Sequence, residues 1–252
     1  MTNYLYQLKI NFKRIILRNK AFFLFDTMLP IAFYILYTKV LINGLTSQQL
    51  KVWNKDYLIS MMIYGCVLGS IITTANILLN DQTSKFNLFI SLKPISKTRY
   101  YSSMAIIFIS LNLIASITIS LVGIFINKID LPFYTISKII LANTIGTIPL
   151  IMIGIMISLA KRPELVNLLT NLIVFPMAII SGLWWPLSMM PKWLQSFGKC
   201  LPTYQLSVIN KTLINQNIIN STAFLNITVW FGLLTLLLLI LTKLKVNKGI
   251  TR

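Results

Sequence analysis

The chain has 252 residues, 56% of them hydrophobic and 11% charged, with a mean hydropathy of +0.76. A soluble domain of that length cannot hide so much apolar surface in one core, so the composition excludes a soluble fold and selects an integral membrane protein. The formal charge of +18 arises from 23 basic against 5 acidic residues. The basic residues lie between apolar runs rather than along one face, which excludes a nucleic-acid partner.

In chain order, residues 1–20 come first. Leu5, Leu8, Phe12 and Ile15/Ile16 recur at helical spacing, with Lys9, Lys13, Arg14 and Arg18 filling much of the rest. This predicts an amphipathic helix lying in the inner membrane interface, basic side towards anionic headgroups. The segment is basic and lacks an Ala-x-Ala site, so no cleavable signal peptide is expected. Six apolar runs follow, at 21–42, 57–79, 101–126, 136–159, 165–186 and 223–242. Each is long enough to cross about 30 Å of hydrocarbon. Helices are the expected form, since unpaired backbone is costly in lipid and no alternating barrel pattern occurs. The expected fold is therefore all-α and integral to the membrane: the interfacial helix, then a six-helix domain over 21–252.

Lysine and arginine placement predicts orientation. Lys9, Lys13, Arg14, Arg18 and Lys20 precede the first run, Lys85, Lys93, Lys97 and Arg99 fill the second connection, and Lys161 and Arg162 the fourth. Lys243, Lys245, Lys248 and Arg252 close the chain, and the alternate connections are poorer in cations. Both termini are expected in the cytoplasm, in a cell membrane.

Within the runs, Gly65 and Gly69 form a narrow strip on the second, with Thr73 one turn on. Ala142/Gly146 and Gly154/Ser158 do so on the fourth. Small residues at such spacing let helix backbones approach, within one bundle or between subunits. Asp26 lies about a turn inside the first run and is expected to pair with Arg18 and Lys20. Asn76, Asn112, Asn143, Asn167 and Asn171 are polar groups at depth, expected to bridge helices or to line a cavity. Cys66 and Cys200 read as unpaired.

Catalytic machinery is absent. There is no His, no Cys-x-x-Cys and no Gly-x4-Gly-Lys-[Ser/Thr]; Gly198-Lys199-Cys200 lacks the upstream glycine and the hydroxyl. The carboxylates offer no pair on one helical face. No catalytic, metal-binding or cofactor-binding residue is therefore expected, and enzymatic activity is not.

Two connections carry information instead. In the second, residues 80–100, Asp81 and Ser84 lead to Phe86, Phe89 and Leu92 at helical spacing, and Pro94 stops the pattern. Such a short helix would project apolar anchors into a groove on a partner. The alternative is an ordinary basic loop. Beyond the fifth run, Ser181-Gly182-Leu183-Trp184-Trp185-Pro186 lead into Pro191 and a segment with Leu187, Met190, Leu194, Phe197 and Leu201 at helical spacing. Pro186 is expected to break the fifth run and Pro191 to open a short helix. Pro202 ends that helix and a second spans 204–216. Trp184, Trp185, Trp193 and Tyr204 read as an interfacial aromatic belt or as a gate.

Taken together, Asp81 to Pro94-Ile95-Ser96 and the Ser181–Tyr204 block resemble ABC-2 type exporter permeases. The match covers nearly the whole chain in topology and the 80–100 and 176–206 regions at motif level. The resemblance implies that Asp81, Ser84, Phe86, Phe89, Leu92 and Pro94 form a cytoplasmic coupling helix. It also implies an outer re-entrant helical pair over 187–216, with Ser181, Gly182, Trp184, Trp185 and Pro186 at an outer gate. A separate nucleotide-binding ATPase subunit, carrying ATP and Mg, and a second permease copy or homologue are the implied partners. An Ile-, Asn- and Lys-rich composition resembles that of low-GC Gram-positive bacteria. Among their small permeases the chain is most similar to exporters of amphipathic peptides of the phenol-soluble modulin type. Drug efflux and lipid or teichoic-acid export are the alternatives. A membrane sensor or ion-conducting bundle is a different class, disfavoured by the lack of carboxylate rings or a carbonyl filter.

Overall fold

The computed structural model describes residues 2–17, 20–42, 44, 46–84 and 97–250, with side chains at 4–16, 24–42, 44, 46–84 and 99–244. Helix α1 (Thr2–Phe12) continues as a π-helical turn, Lys13–Leu17, and α2 (Lys20–Ile35) as another, Leu36–Val40. Helix α3 (Ser47–Val67) passes through a π-helical turn (Leu68–Thr73) into α4 (Thr74–Thr83). There follow α5 (Lys97–Asn127), α6 (Phe133–Gly146), α7 (Ile148–Ser158) and α8 (Pro163–Ile180). A 3₁₀ turn (Leu187–Met189) precedes α9 (Lys192–Cys200), α10 (Pro202–Gln216) and α11 (Ser221–Ile250). No strand occurs among the described residues.

Five helical stretches among the described residues are long and apolar enough to cross a membrane: Ser47–Thr83, Arg99–Asn127, Phe133–Ser158, Pro163–Ile180 and Ser221–Leu244. The expected first run falls on α2 and its π turn. The second begins ten residues earlier than hydropathy alone suggests, because Thr46 and Gln49 form a capping box. The Gln49 amide donates to Thr46 Oγ1 at 3.4 Å and the Thr46 amide to Gln49 Oε1 at 3.0 Å.

The fifth expected run, 165–186, needs correction. It ends at Ile180, six residues before Pro186, and the breaker is Gly182, at φ 78°. The Leu183 amide donates to Ala178 O and the Gly182 amide to Ile179 O, both at 3.0 Å, which is a Schellman closure. Pro163 follows the extended Arg162 and opens the helix. The fourth run also divides, at Thr147 between α6 and α7, because Pro149 has no N–H to continue the ladder.

The continuous α3–α4 rod forms the axis, with 94% of its apolar stretch buried. One large core surrounds it, including Tyr34, Tyr64, Leu68, Val174 and Leu206. A smaller one, including Ile15, Leu78, Tyr100 and Phe108, joins the N-terminal segment to α4, α5 and α7. At the other extreme, only 28% of the apolar stretch of α8 and 11% of that of α11 is buried, so those helices are completed by lipid or another subunit.

Candidate functional site

Asp81 lies in the last turn of α4, not in a loop. It follows Ile77 and Leu78 on the buried stripe and is only 3% exposed. Both terminal Arg14 guanidinium nitrogens donate to its carboxylate, Nη2 to Oδ2 at 2.8 Å and Nη1 to Oδ1, while the Tyr100 hydroxyl donates to Oδ2. Burial is the strongest single influence on Arg14 and works against its charge. The bond and charge of Asp81, with a further contribution from Tyr100, more than offset it and hold the Arg14 pKa above its ordinary value. Three segments therefore meet at one buried ion pair: the N-terminal π turn, the end of α4 and the start of α5. Further contacts extend this seam, with Asn11 Nδ2 donating to Ser103 Oγ at 2.9 Å and the Tyr4 and Ser102 hydroxyls 3.3 Å apart.

The N-terminal helix thus departs from the amphipathic expectation. Arg14 turns inward to Asp81 rather than towards headgroups, and Asn11 is buried with Ile15, while Leu5 and Phe12 are exposed. Ser84 is exposed and donates to the Asn80 carbonyl at 2.7 Å, closing α4. Phe86, Phe89, Leu92 and Pro94 lie outside the described residues. The node therefore grips both helices that flank that segment.

Polar groups at depth also pair internally. The Thr73 hydroxyl donates to the buried Asp26 carboxylate; the Arg18 and Lys20 side chains lie outside the described residues. Asn112 bridges helices by donating to Ser70 Oγ at 2.7 Å and Thr147 Oγ1 at 3.0 Å, and Asn210 donates to Asn143 Oδ1 at 2.5 Å. Asn76 bonds within its own helix. Asn167 and Asn171 lie exposed on α8.

The four strip glycines all meet neighbours within this chain. A Cβ at Gly154 would stand 2.5 Å from the Ser70 carbonyl, at Gly65 2.7 Å from Ile119 Cδ1, at Gly69 2.9 Å from Asn112 Oδ1, and at Gly146 2.6 Å from Leu206 Cδ1. The Gly154 contact involves backbone on the partner, so α7 sits directly on the π turn of the central rod.

At the far end of α8, Ser181 is buried and donates to the Met177 carbonyl at 2.6 Å. Beyond Gly182 the chain delivers Trp184 into an aromatic cluster. Ring centroids lie 5.2 Å from Phe33, 5.5 Å from Tyr64 and 5.9 Å from Phe175. The Tyr57 hydroxyl donates to the Trp184 carbonyl at 3.2 Å, tying the turn to α3. The Trp184 indole N–H and the Tyr64 hydroxyl are buried without a partner among the described residues. Trp185 is exposed and Pro186 half-buried.

Helix α9 follows Pro191, as expected, and Phe197 points away from the neighbouring helices. It is exposed and pairs edge-on with Trp193. Gly198 occupies the contact instead, where a Cβ would fall 2.1 Å from the Ile180 carbonyl. Trp53, Tyr37 and Tyr57 also belong to the aromatic cluster around Trp184 and were not singled out by sequence. Tyr57 is four residues after Trp53, a helical spacing that could have shown it.

Residues 6–209 match the family described as ABC-2 type transporter. A protein of Bacillus subtilis (strain 168) named "Putative transport permease YvfS" is 30% identical over 189 residues, covering 75% of this chain and 76% of that protein. The helices, the buried polar seam and the family match over most of the length agree: this chain is a multi-pass membrane protein that belongs to the ABC-2 type transporter family.

Proposed function

We propose that the chain is the permease subunit of an ATP-driven exporter of amphipathic or hydrophobic molecules, with amphipathic peptides as the cargo. Six spans, with α2 as the first, place both termini in the cytoplasm, and α9 and α10 form a re-entrant pair on the outer side. Two copies, or this chain and a homologue, meet across a central pathway, and separate ATPase subunits bind ATP and Mg.

The observation that carries this reading is the Arg14–Asp81–Tyr100 node. It clamps α4 and α5 on either side of the segment bearing Phe86 and Phe89, and ties both to the N-terminal helix. Force applied to that segment by an ATPase would reach the central rod directly rather than be lost in a slack loop. The rod in turn meets the Trp184 cluster through Tyr57 and Tyr64. The open face of α8 supports a pathway lined by a second subunit, because Asn167 and Asn171 are amides in a membrane-crossing helix and need a wet or protein neighbour.

Co-purification with the ATPase subunit tests the docking. Phe86→Glu with Phe89→Glu is expected to abolish it while leaving the permease folded, and intact assembly in that double variant would overturn the coupling assignment. Cargo is tested by ATPase stimulation in proteoliposomes. Amphipathic helical peptides are expected to stimulate turnover, whereas stimulation by drugs or lipids alone would reassign the cargo.

A further inference from the structure

Helices α6, α10 and α11, with the start of α7, line a partly open apolar groove of 490 Å³. Its volume lies within the range of about 300–1,000 Å³ typical of small-molecule sites. Leu141 and Ile145 of α6, Leu206 and Leu213 of α10, and Phe224 and Phe231 of α11 form its walls. The groove has a polar end. Lys138, in the second turn of α6, donates to Asn217 Oδ1 at 3.1 Å and lies 4.1 Å above the Tyr134 ring. Lys138 forms no ion pair among the described residues, and an ammonium bonded once to an amide retains two donors.

Length identifies the occupant. From Lys138 to Pro149, the last α7 residue lining the groove, the chain advances eleven residues, or about 16 Å at helical rise. That is close to half of the roughly 30 Å hydrocarbon core, the depth of one leaflet. A cation at the end nearest the start of a membrane-crossing helix, with one leaflet of apolar wall beyond it, matches a lipid with a negative headgroup. We propose that this groove binds one anionic phospholipid, its phosphate on Lys138 and an acyl chain along α6 and α11.

The full-length chain, purified in mild detergent and equilibrated with equimolar phosphatidylglycerol and phosphatidylcholine of identical acyl chains, tests this by native mass spectrometry. Phosphatidylglycerol is expected to be retained over phosphatidylcholine by about fivefold, the preference a single cation at a bilayer surface confers. Lys138→Gln should remove the preference but keep the bound lipid, and the exposed Lys192→Gln should change neither. Leu141→Trp or Ile145→Trp, both at exposed wall positions, should fill the groove and lose one lipid of either kind, with thermal midpoints near wild type. Equal retention of the two lipids, or a preference that survives Lys138→Gln, would overturn the proposal. So would stoichiometric displacement of phosphatidylglycerol by an amphipathic peptide, which would make the groove a cargo site. A loss of dimer without loss of lipid in the Trp variants would make it a subunit contact, and would likewise overturn the assignment.

Discussion

Asp81 shows how much one residue decides. Removing a single partner from a buried ion pair leaves the other charge unpaired, at a cost of about 3–5 kcal/mol. Asp81→Ala is therefore expected to destabilise the permease by about 3 kcal/mol, and Arg14→Ala similarly, read as lower midpoints in thermal unfolding in detergent. Replacing both, as in Arg14→Met with Asp81→Leu, should recover much of the loss, so the double-mutant cycle is strongly non-additive. Additive losses would show that the pair is not coupled. Tyr100→Phe removes one hydroxyl from the same carboxylate and should cost about 1–2 kcal/mol.

Helix ends and close contacts set the element scale, and the glycines rank themselves. Gly198 abuts the Ile180 carbonyl, Gly182 needs a left-handed backbone, and Gly232 of α11 has nothing within 4 Å of a built Cβ. Gly198→Ala should force α9 away from α8 and be the most damaging of the three. Gly182→Ala should cost about 1–2 kcal/mol for the left-handed backbone alone. Gly232→Ala should stabilise α11 by roughly 0.5–1 kcal/mol. Midpoints of the three variants test the order, and a neutral Gly198→Ala would refute the contact between α9 and the end of α8. Local signals for two of these boundaries stood in the sequence: Thr46-x-x-Gln49 for the early start of α3, and Gly182 for the end of α8. Pro186 was the more conspicuous breaker, but the Schellman bonds close the helix before the chain reaches it.

The whole molecule is organised by what its central rod can bury. Ser47–Thr83 runs about 55 Å at helical rise, longer than the bilayer core, so one rod links the Trp184 aromatic cluster at one end to the Arg14–Asp81 ion pair at the other. Trp184→Ala should remove packing from that cluster at a cost of about 3–5 kcal/mol. If it is a gate, the same change should raise basal ATPase turnover in the reconstituted complex. Lower stability with unchanged turnover would leave Trp184 a packing residue alone.

Membrane class, helical form and the approximate positions of five membrane-crossing stretches were determined by the sequence itself, because hydropathy is a sum over neighbours along the chain and lipid acts on that sum. The absence of an ATP-binding motif was equally local. Which side of a helix meets which partner was decided only by the tertiary structure. Arg14 and Asp81 are 67 positions apart and Tyr57 and Trp184 are 127 apart. The periodicity of residues 1–20 assigned Arg14 to the headgroups because a basic residue on an isolated amphipathic helix belongs there. A buried carboxylate on another helix outweighed that preference, and no pattern local to residues 1–20 contains it.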